Sequence, residues 1–337
     1  MPDVFFELSF IWAGLIAFAV LTYVVLDGFD LGIGILFPFA HTHKDRDVMM
    51  NSVAPVWDGN ETWLVLGGGG LFAVFPLAYA IVMPALYMPI ILMLLALVFR
   101  GVAFEYRWKT VRWRGVWDTA FFGGSTVAAL CQGIALGALV QGIDVDGRAY
   151  GGGWWDWLTP FSITTGIAVV VGYALLGSTW LVMKTSGAVS HHMRDIAKPL
   201  AIVTLVFIAV VSLWTPFQNA EYFGRWFNWP GTLYTSPVPI ALVVAVFLLF
   251  QGLATGKETT PFLAAEAIFV LAFIGIGISF YPHIVPPSLT IVEAAAPDSS
   301  LLFTLVGTLV LVPLILIYTT YAYWVFRGKI DPDEGYH

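Results

Sequence analysis

Four carboxylates fall in two pairs of spacing three, Asp27 with Asp30 and Asp58 with Glu61, each at the end of a long apolar run, and Arg100 closes a third such run. Acids in this setting do one of two things. A partly desolvated carboxyl takes up and hands on protons, because loss of water disfavours its charged form. Alternatively it is a fixed partner for the cation, or a cap for the first amides of a helix. A spacing of three puts both members of a pair on one helical face. Neither pair can look at lipid, since a carboxylate in hydrocarbon costs at least about 2.5 kcal/mol. In the structural reading, Arg100 neutralises one acid while Asp58, or Asn51 and Ser52, satisfies amides at the start of the second run. In the functional reading, the excess of acids over one arginine leaves a site that binds and releases protons from the side it faces. Both readings stand on the residues alone.

The elements that must hold these residues are membrane helices. The 337-residue chain is 59% hydrophobic and only 11% charged, against about 25% charged in soluble domains. It reads as a single integral-membrane domain over 1–337, all-α and polytopic. The lone Cys131 lies in an apolar run, which excludes an internal disulfide, a zinc site and an iron–sulfur cluster, each of which needs more sulfur or a Cys/His set. The first ten residues, MPDVFFELSF, carry no Lys or Arg, so the first run is expected to be a retained span rather than a cleaved signal. The net charge of −7 gives no reason to expect a nucleic-acid partner.

Runs of about 20 apolar residues predict about nine spans, near 8–27, 54–75, 78–99, 118–141, 160–183, 199–217, 236–255, 261–281 and 301–325. Numbering the intervening segments alternately sorts the basic residues. Lys44, Arg46, Arg100, Arg107, Lys109, Arg112, Arg114, Lys184, Arg194, Lys198, Lys257, Arg327 and Lys329 share one side, leaving only Arg148 and Arg225 opposite. The positive-inside rule then puts the N-terminus outside and the C-terminus in the cytoplasm. Trp154, Trp155, Trp157, Trp226 and Trp229 fall in outer segments, as an interfacial belt would. A faint repeat relates Tyr23-Val-Val-Leu26 to Tyr173-Ala-Leu-Leu176 and His43…Arg46-Asp47 to His191…Arg194-Asp195. It suggests two four-helix units, 8–141 with the polar cluster and 160–281, followed by a peripheral last helix at 301–325. Asp27, Asp30 and Arg100 have no charged counterparts in the second unit, so the polar chemistry belongs to the first.

Gly67-Gly68-Gly69-Gly70 lacks the Gly-Lys-Ser/Thr of a phosphate loop and sits in mid-span, which points to close helix packing, as do Gly28, Gly32 and Gly34. Trp57 and Trp63 read first as packing residues and second as a lining for a small-molecule route. Haem in a bilayer needs His or Met side chains projecting from spans. His41, His43, His191 and His192 instead lie in loops, His337 is the last residue, and His283 near a span end has no partner at a suitable spacing. No haem or metal is therefore expected on this chain alone.

The ordered motifs Asp27-Gly28-Phe29-Asp30-Leu31-Gly32, Asn51-Ser52…Trp57-Asp58-Gly59-Asn60…Trp63-Leu64, Phe72-Ala73…Phe75-Pro76 and Phe99-Arg100-Gly101…Phe104-Glu105-Tyr106-Arg107 resemble subunit II of the cytochrome bd-type ubiquinol oxidases. The resemblance extends over the whole chain to Tyr323-Trp324-Val325-Phe326-Arg327, and Glu61 is similar to the cyanide-insensitive branch. It implies a heterodimer in a bacterial cytoplasmic membrane. The partner, subunit I, carries the haems, b with d or a b-type haem in its place, and the quinol site. The complex oxidises quinol and reduces dioxygen to water with protons from the cytoplasm. By the same resemblance Asp58 lies on the proton path, Glu61, Asp27 and Asp30 contribute to it, and Trp63 lies on a hydrophobic oxygen path. A structural quinone, a small accessory subunit and membrane lipid are further partners the family allows. A scaffold with no path of its own and an ion-coupled transporter remain the other classes compatible with the residues.

Overall fold

The computed structural model describes residues 7–330; most of the N-terminal stretch read above, and His337, lie outside the described residues. The first part comprises helices α1 (Leu8–Leu36), α2 (His43–Asn51), α3 (Trp57–Val74), α4 (Pro76–Ala85), α5 (Tyr87–Lys109) and α6 (Arg114–Gln141). A two-stranded hairpin of β1 (Val145–Asp146) and β2 (Ala149–Tyr150) follows. The second part has α7 (Pro160–Lys184), α8 (Gly187–Trp214), the short α9 (Ala220–Phe227) and α10 (Gly231–Thr235), α11 (Pro237–Ala254) and α12 (Thr259–Phe280). A second hairpin, β3 (His283–Val285) with β4 (Leu289–Thr290), leads through α13 (Ile291–Ala294) to the last helix, α14 (Asp298–Val325).

Among the described residues, eight helical segments are long and apolar enough to cross a membrane. The chain is thus an all-α polytopic membrane protein. The expected span near 54–75 corresponds to α3, which is not among the eight. Asp58, Asn60 and Glu61 in its first turns and four consecutive glycines in its middle dilute its apolar character.

The span expected at 78–99 is differently divided: α4 ends at Ala85, and α5 runs on to Lys109. The cause is Pro89. It has no N–H for the Ala85 carbonyl and its ring crowds that group, so the chain breaks at Leu86, whose φ and ψ are −110° and 21°. Of the five tryptophans expected in a belt, Trp154, Trp155 and Trp229 are exposed. Trp157 is buried and Trp226 donates to Ser279 Oγ at 2.9 Å.

The core forms where α1 ends. Every residue from Asp27 to Phe37 is buried, whereas the first half of α1 has only Ser9, Trp12, Ala19 and Tyr23 inside. Backbone contact with α7 makes this possible. A Cβ on Gly32 would lie 1.8 Å from the Tyr173 carbonyl oxygen, and one on Gly177 would lie 2.5 Å from the Gly32 carbonyl carbon. Two glycines facing each other let the helices touch along their main chains. Gly32→Ala is therefore expected to destabilise the fold by about 3 kcal/mol, read as a lower melting temperature of the purified protein. Gly14→Ala in the same helix, where a Cβ meets nothing within 4 Å, is expected to leave it unchanged. The glycine run of α3 is a partial exception to the packing expectation. Gly67 abuts Val20, but Gly68 and Gly69 have nothing within 4 Å in this chain. They lie on the exposed face of α3 with Asp58, Thr62, Val65 and Phe72.

Candidate functional site

Arg100 lies about two and a half turns before the end of α5 and is fully buried. Its Nη1 is 3.1 Å from Asp27 Oδ1 and 3.3 Å from Glu61 Oε2, and its Nη2 is 3.9 Å from Asp30 Oδ2. Three acids from α1 and α3 thus converge on one guanidinium supplied by α5. Asp27 and Asp30 share one face of α1 as their spacing requires and are wholly enclosed, whereas the Glu61 side chain is 27% exposed. Trp57 roofs the group. Its ring lies 5.8 Å from the Arg100 guanidinium carbon and stacks on Phe104 at 4.7 Å. Both oxygens of Asp27, Oδ1 of Asp30, and Nε and Nη2 of Arg100 have no hydrogen-bond partner in the protein.

Asp58 is not part of this group. One helical turn from Glu61, it is exposed on the outer face of α3. The expected gathering of four acids about Arg100 is therefore three, with the fourth on the surface beside Glu61. The cap reading of Asp58 also has no support in geometry, since α3 has no side-chain cap at its start. A pair spaced by three is split when the interface passes between its members, and here the packing of α3 on α1 turns Glu61 toward Arg100 and leaves Asp58 outside.

Hydrogen bonds frame the acids on two sides. On one, Asn60 Nδ2 donates to Asp30 Oδ2 at 2.8 Å, while its Oδ1 accepts from the Tyr323 hydroxyl at 3.0 Å. On the other, the Tyr173 hydroxyl donates to Gln132 Oε1 at 2.8 Å, and Gln132 Nε2 donates to Tyr23 Oη at 2.7 Å. Sequence reasoning missed Asn60, Gln132 and Tyr323 as site residues. Tyr23 and Tyr173 were legible as repeat partners, and both meet the same glutamine. Glu266 on α12, buried with neither oxygen hydrogen-bonded, had no signal beyond being an acid in an apolar run.

A second charged group, at the ends of α2, α5 and α6, is of another kind. Arg107 Nε is 2.6 Å from Asp118 Oδ1 and its Nη1 is 2.7 Å from Asp47 Oδ1. Arg46 Nη1 reaches Asp118 at 2.9 Å, and Arg114 also pairs with Asp47. With three cations on two acids, it has the charge balance of a clamp. The Arg100 group, with three acids on one cation, has the opposite balance.

Trp63 is buried at 1% exposure, edge-on to Phe18 at 5.8 Å, and clusters with Ala19 and Tyr23. Its Nε1 has no acceptor. The histidines lie apart from these groups. Contrary to the loop placement expected, His43 opens α2 and His191 and His192 lie in the first two turns of α8, because the helix starts earlier than the apolar run. The rings of His41 and His192 are 4.1 Å apart, and His283 in β3 has Nδ1 3.8 Å from Glu221 Oε2. Among the described residues no three His, Cys, Asp or Glu side chains are grouped to hold a metal ion.

Residues 8–326 match the family described as cytochrome bd terminal oxidase subunit II. The chain is 32% identical to cytochrome bd-I ubiquinol oxidase subunit 2 of Escherichia coli strain K12, over 97% of this chain and 96% of that protein. It is 29% identical to cytochrome bd ubiquinol oxidase subunit 2 of Bacillus subtilis strain 168, over 96% and 97% respectively. The fold resembles a chain in the structure of bd oxidase from Geobacillus thermodenitrificans, with a TM-score of 0.77 at 16% identity, covering 95% of this chain and 99% of that one.

Proposed function

The chain belongs to the cytochrome bd terminal oxidase subunit II family, a membrane component of a quinol oxidase that works with a subunit I, and from this we propose that it supplies the complex with a proton path running from Asp58 through Glu61 to Asp27 and Asp30. The observation that carries the reading is the position of Glu61. It reaches Arg100 at 3.3 Å while remaining 27% exposed beside Asp58, so it bridges a surface carboxyl and two enclosed ones. The excess of three acids over one cation supports a group in which at least one carboxyl exchanges its proton. The unfilled hydrogen-bonding capacity of Asp27 and Arg100 leaves room for that exchange. Asp58 on an outward face supports contact with subunit I, because a carboxylate is not stable against lipid.

Protons are taken from the cytoplasm in this reading, with the N-terminus outside and two four-helix units followed by α14. Reporters fused after Arg107 and after Arg194 are expected to read cytoplasmic, and one between Gly142 and Gly153 external. Reversed signals would move proton uptake to the other face. Trp63 with Phe18 and Ala19 offers an apolar seam for dioxygen toward the partner. The haems of the complex belong to subunit I in this proposal, since among the described residues the histidines lie in loops, in a hairpin or at helix starts rather than in mid-span. His283→Ala is accordingly expected to leave every band of the reduced-minus-oxidised spectrum of the complex in place. A lost band at normal assembly would move a haem ligand into this chain.

The path itself is tested by quinol-driven oxygen consumption per haem, with proton uptake followed across pH, when Asp58 and Glu61 are replaced singly by their amides. Unchanged turnover in both would leave the group structural and the chain a scaffold.

A further inference from the structure

Near the same end of the bundle, a cavity of about 190 Å³ is lined by Ser52, Trp180, Lys184, Tyr323, Arg327 and Lys329, among others, with no acid in its wall. Lys184, the last residue of α7, is only 8% exposed. Its Nζ donates to the Phe326 carbonyl at 2.6 Å and sits 5.4 Å from the ring of Trp180. Among the described residues no carboxylate pairs with it. Lys329 is committed to Glu258 at 2.5 Å. Arg327 lies with its guanidinium carbon 4.4 Å from the Trp324 ring and donates to the Trp324 carbonyl at 2.7 Å, again with no acid. Two cations without counter-ions among the described residues therefore face one cavity, each with hydrogen-bond donors to spare. A buried ammonium without a counter-ion is unfavourable, and a phosphate oxygen is an acceptor that both groups bind strongly.

Trp324 also links the cavity to an apolar groove on α14 lined by Leu316, Ile317, Thr320 and Tyr321. Only 6% of the membrane window of this helix is buried within this chain, so nothing in the chain covers the groove. We propose that the cavity binds the phosphate of an anionic phospholipid, held by Lys184 and Arg327, with its chains along the α14 groove. A neutral quinone would leave both cations uncompensated. Asp331, Asp333 and Glu334 follow the last lining residue in sequence and are the rival source of negative charge.

The experiment is native mass spectrometry of the two-subunit complex, counting retained phospholipid and quinone, with titration of short-chain phosphatidylglycerol. Lys184→Met and Arg327→Gln are each expected to weaken retention of a bound phospholipid about fivefold, the contribution of one basic residue near an anionic lipid. Truncation after Ile330 is expected to leave retention intact. Arg327 is exposed, so Arg327→Gln reads the effect even if Lys184→Met does not assemble. Four results would overturn the proposal: equal retention in wild type and Arg327→Gln, phospholipid bound only after truncation, displacement by inorganic phosphate as readily as by lipid, or loss of quinone in place of phospholipid.

Discussion

Asp58→Asn is expected to assemble with a full haem complement and to turn over on the order of 100-fold more slowly, the scale on which loss of a positioned proton-transfer group is felt. The amide keeps the volume and much of the polarity of the acid and removes only the exchangeable proton. Asp58 is exposed and makes no cap to the first amides of α3, so its loss removes no contact within the chain. Asp58→Glu, which restores the acid on a longer arm, is expected to recover partial turnover. A structural Asp58 predicts the reverse order, because Asn substitutes well for Asp in caps while a longer side chain does not. Oxygen consumption per haem in membranes, at matched quinol, decides between them. Full turnover in Asp58→Asn would end the proton-path reading.

Arg100→Gln is expected to abolish accumulation of the complex. The guanidinium is the only cation among the described residues within ion-pair distance of Asp27, Asp30 and Glu61. Removing one partner from a buried ion pair costs about 3–5 kcal/mol, and here three acids lose the same partner. Adding Asp27→Asn to Arg100→Gln removes the closest acid and is expected to restore part of the assembled protein, without restoring wild-type turnover. The amount of subunit in detergent extract, normalised to an unrelated membrane protein, measures both. Normal accumulation of Arg100→Gln alone would mean that the acids are already neutral without it. By contrast, loss of Arg114 is expected to be mild, because Arg107 continues to engage Asp47.

The meeting of Asp27, Asp30 and Arg100 could be read from the sequence, because alternate crossing places the end of the first span, the start of the second and the end of the third at one depth. Depth, however, does not fix rotation about a helix axis. Asp58 and Glu61 sit at the same level, but packing of α3 on α1 turned one inward and left the other outside, and hydropathy does not register that difference. The polar partners were illegible for a related reason. Tyr323 reaches Asn60, and Gln132 reaches Tyr23, only after distant helices close on α1. Pro89, by contrast, was a local signal for the break at Leu86, outweighed in a 20-residue window by the apolar residues around it. The repeat identified Tyr23 and Tyr173 but gave no hint that one glutamine would stand between them.

Asn60 stands between Tyr323 and Asp30, and Gln132 between Tyr173 and Tyr23, which lies one turn from Asp27. A carboxamide donates and accepts hydrogen bonds, but near neutral pH it neither releases nor captures a proton. Tyr323 and Tyr173 are therefore coupled to the acids by orientation alone, and each amide acts as an insulator. In the proposed path, protons arriving through Glu61 reach a dead end on those sides and leave only toward the partner. An elementary charge crossing 100 mV carries about 2.3 kcal/mol. In the proposed path, a conducting side chain in place of Gln132 would join Tyr23 to Tyr173 and open a route into the interior of the bundle through which that voltage could be short-circuited, and the amide keeps that route closed.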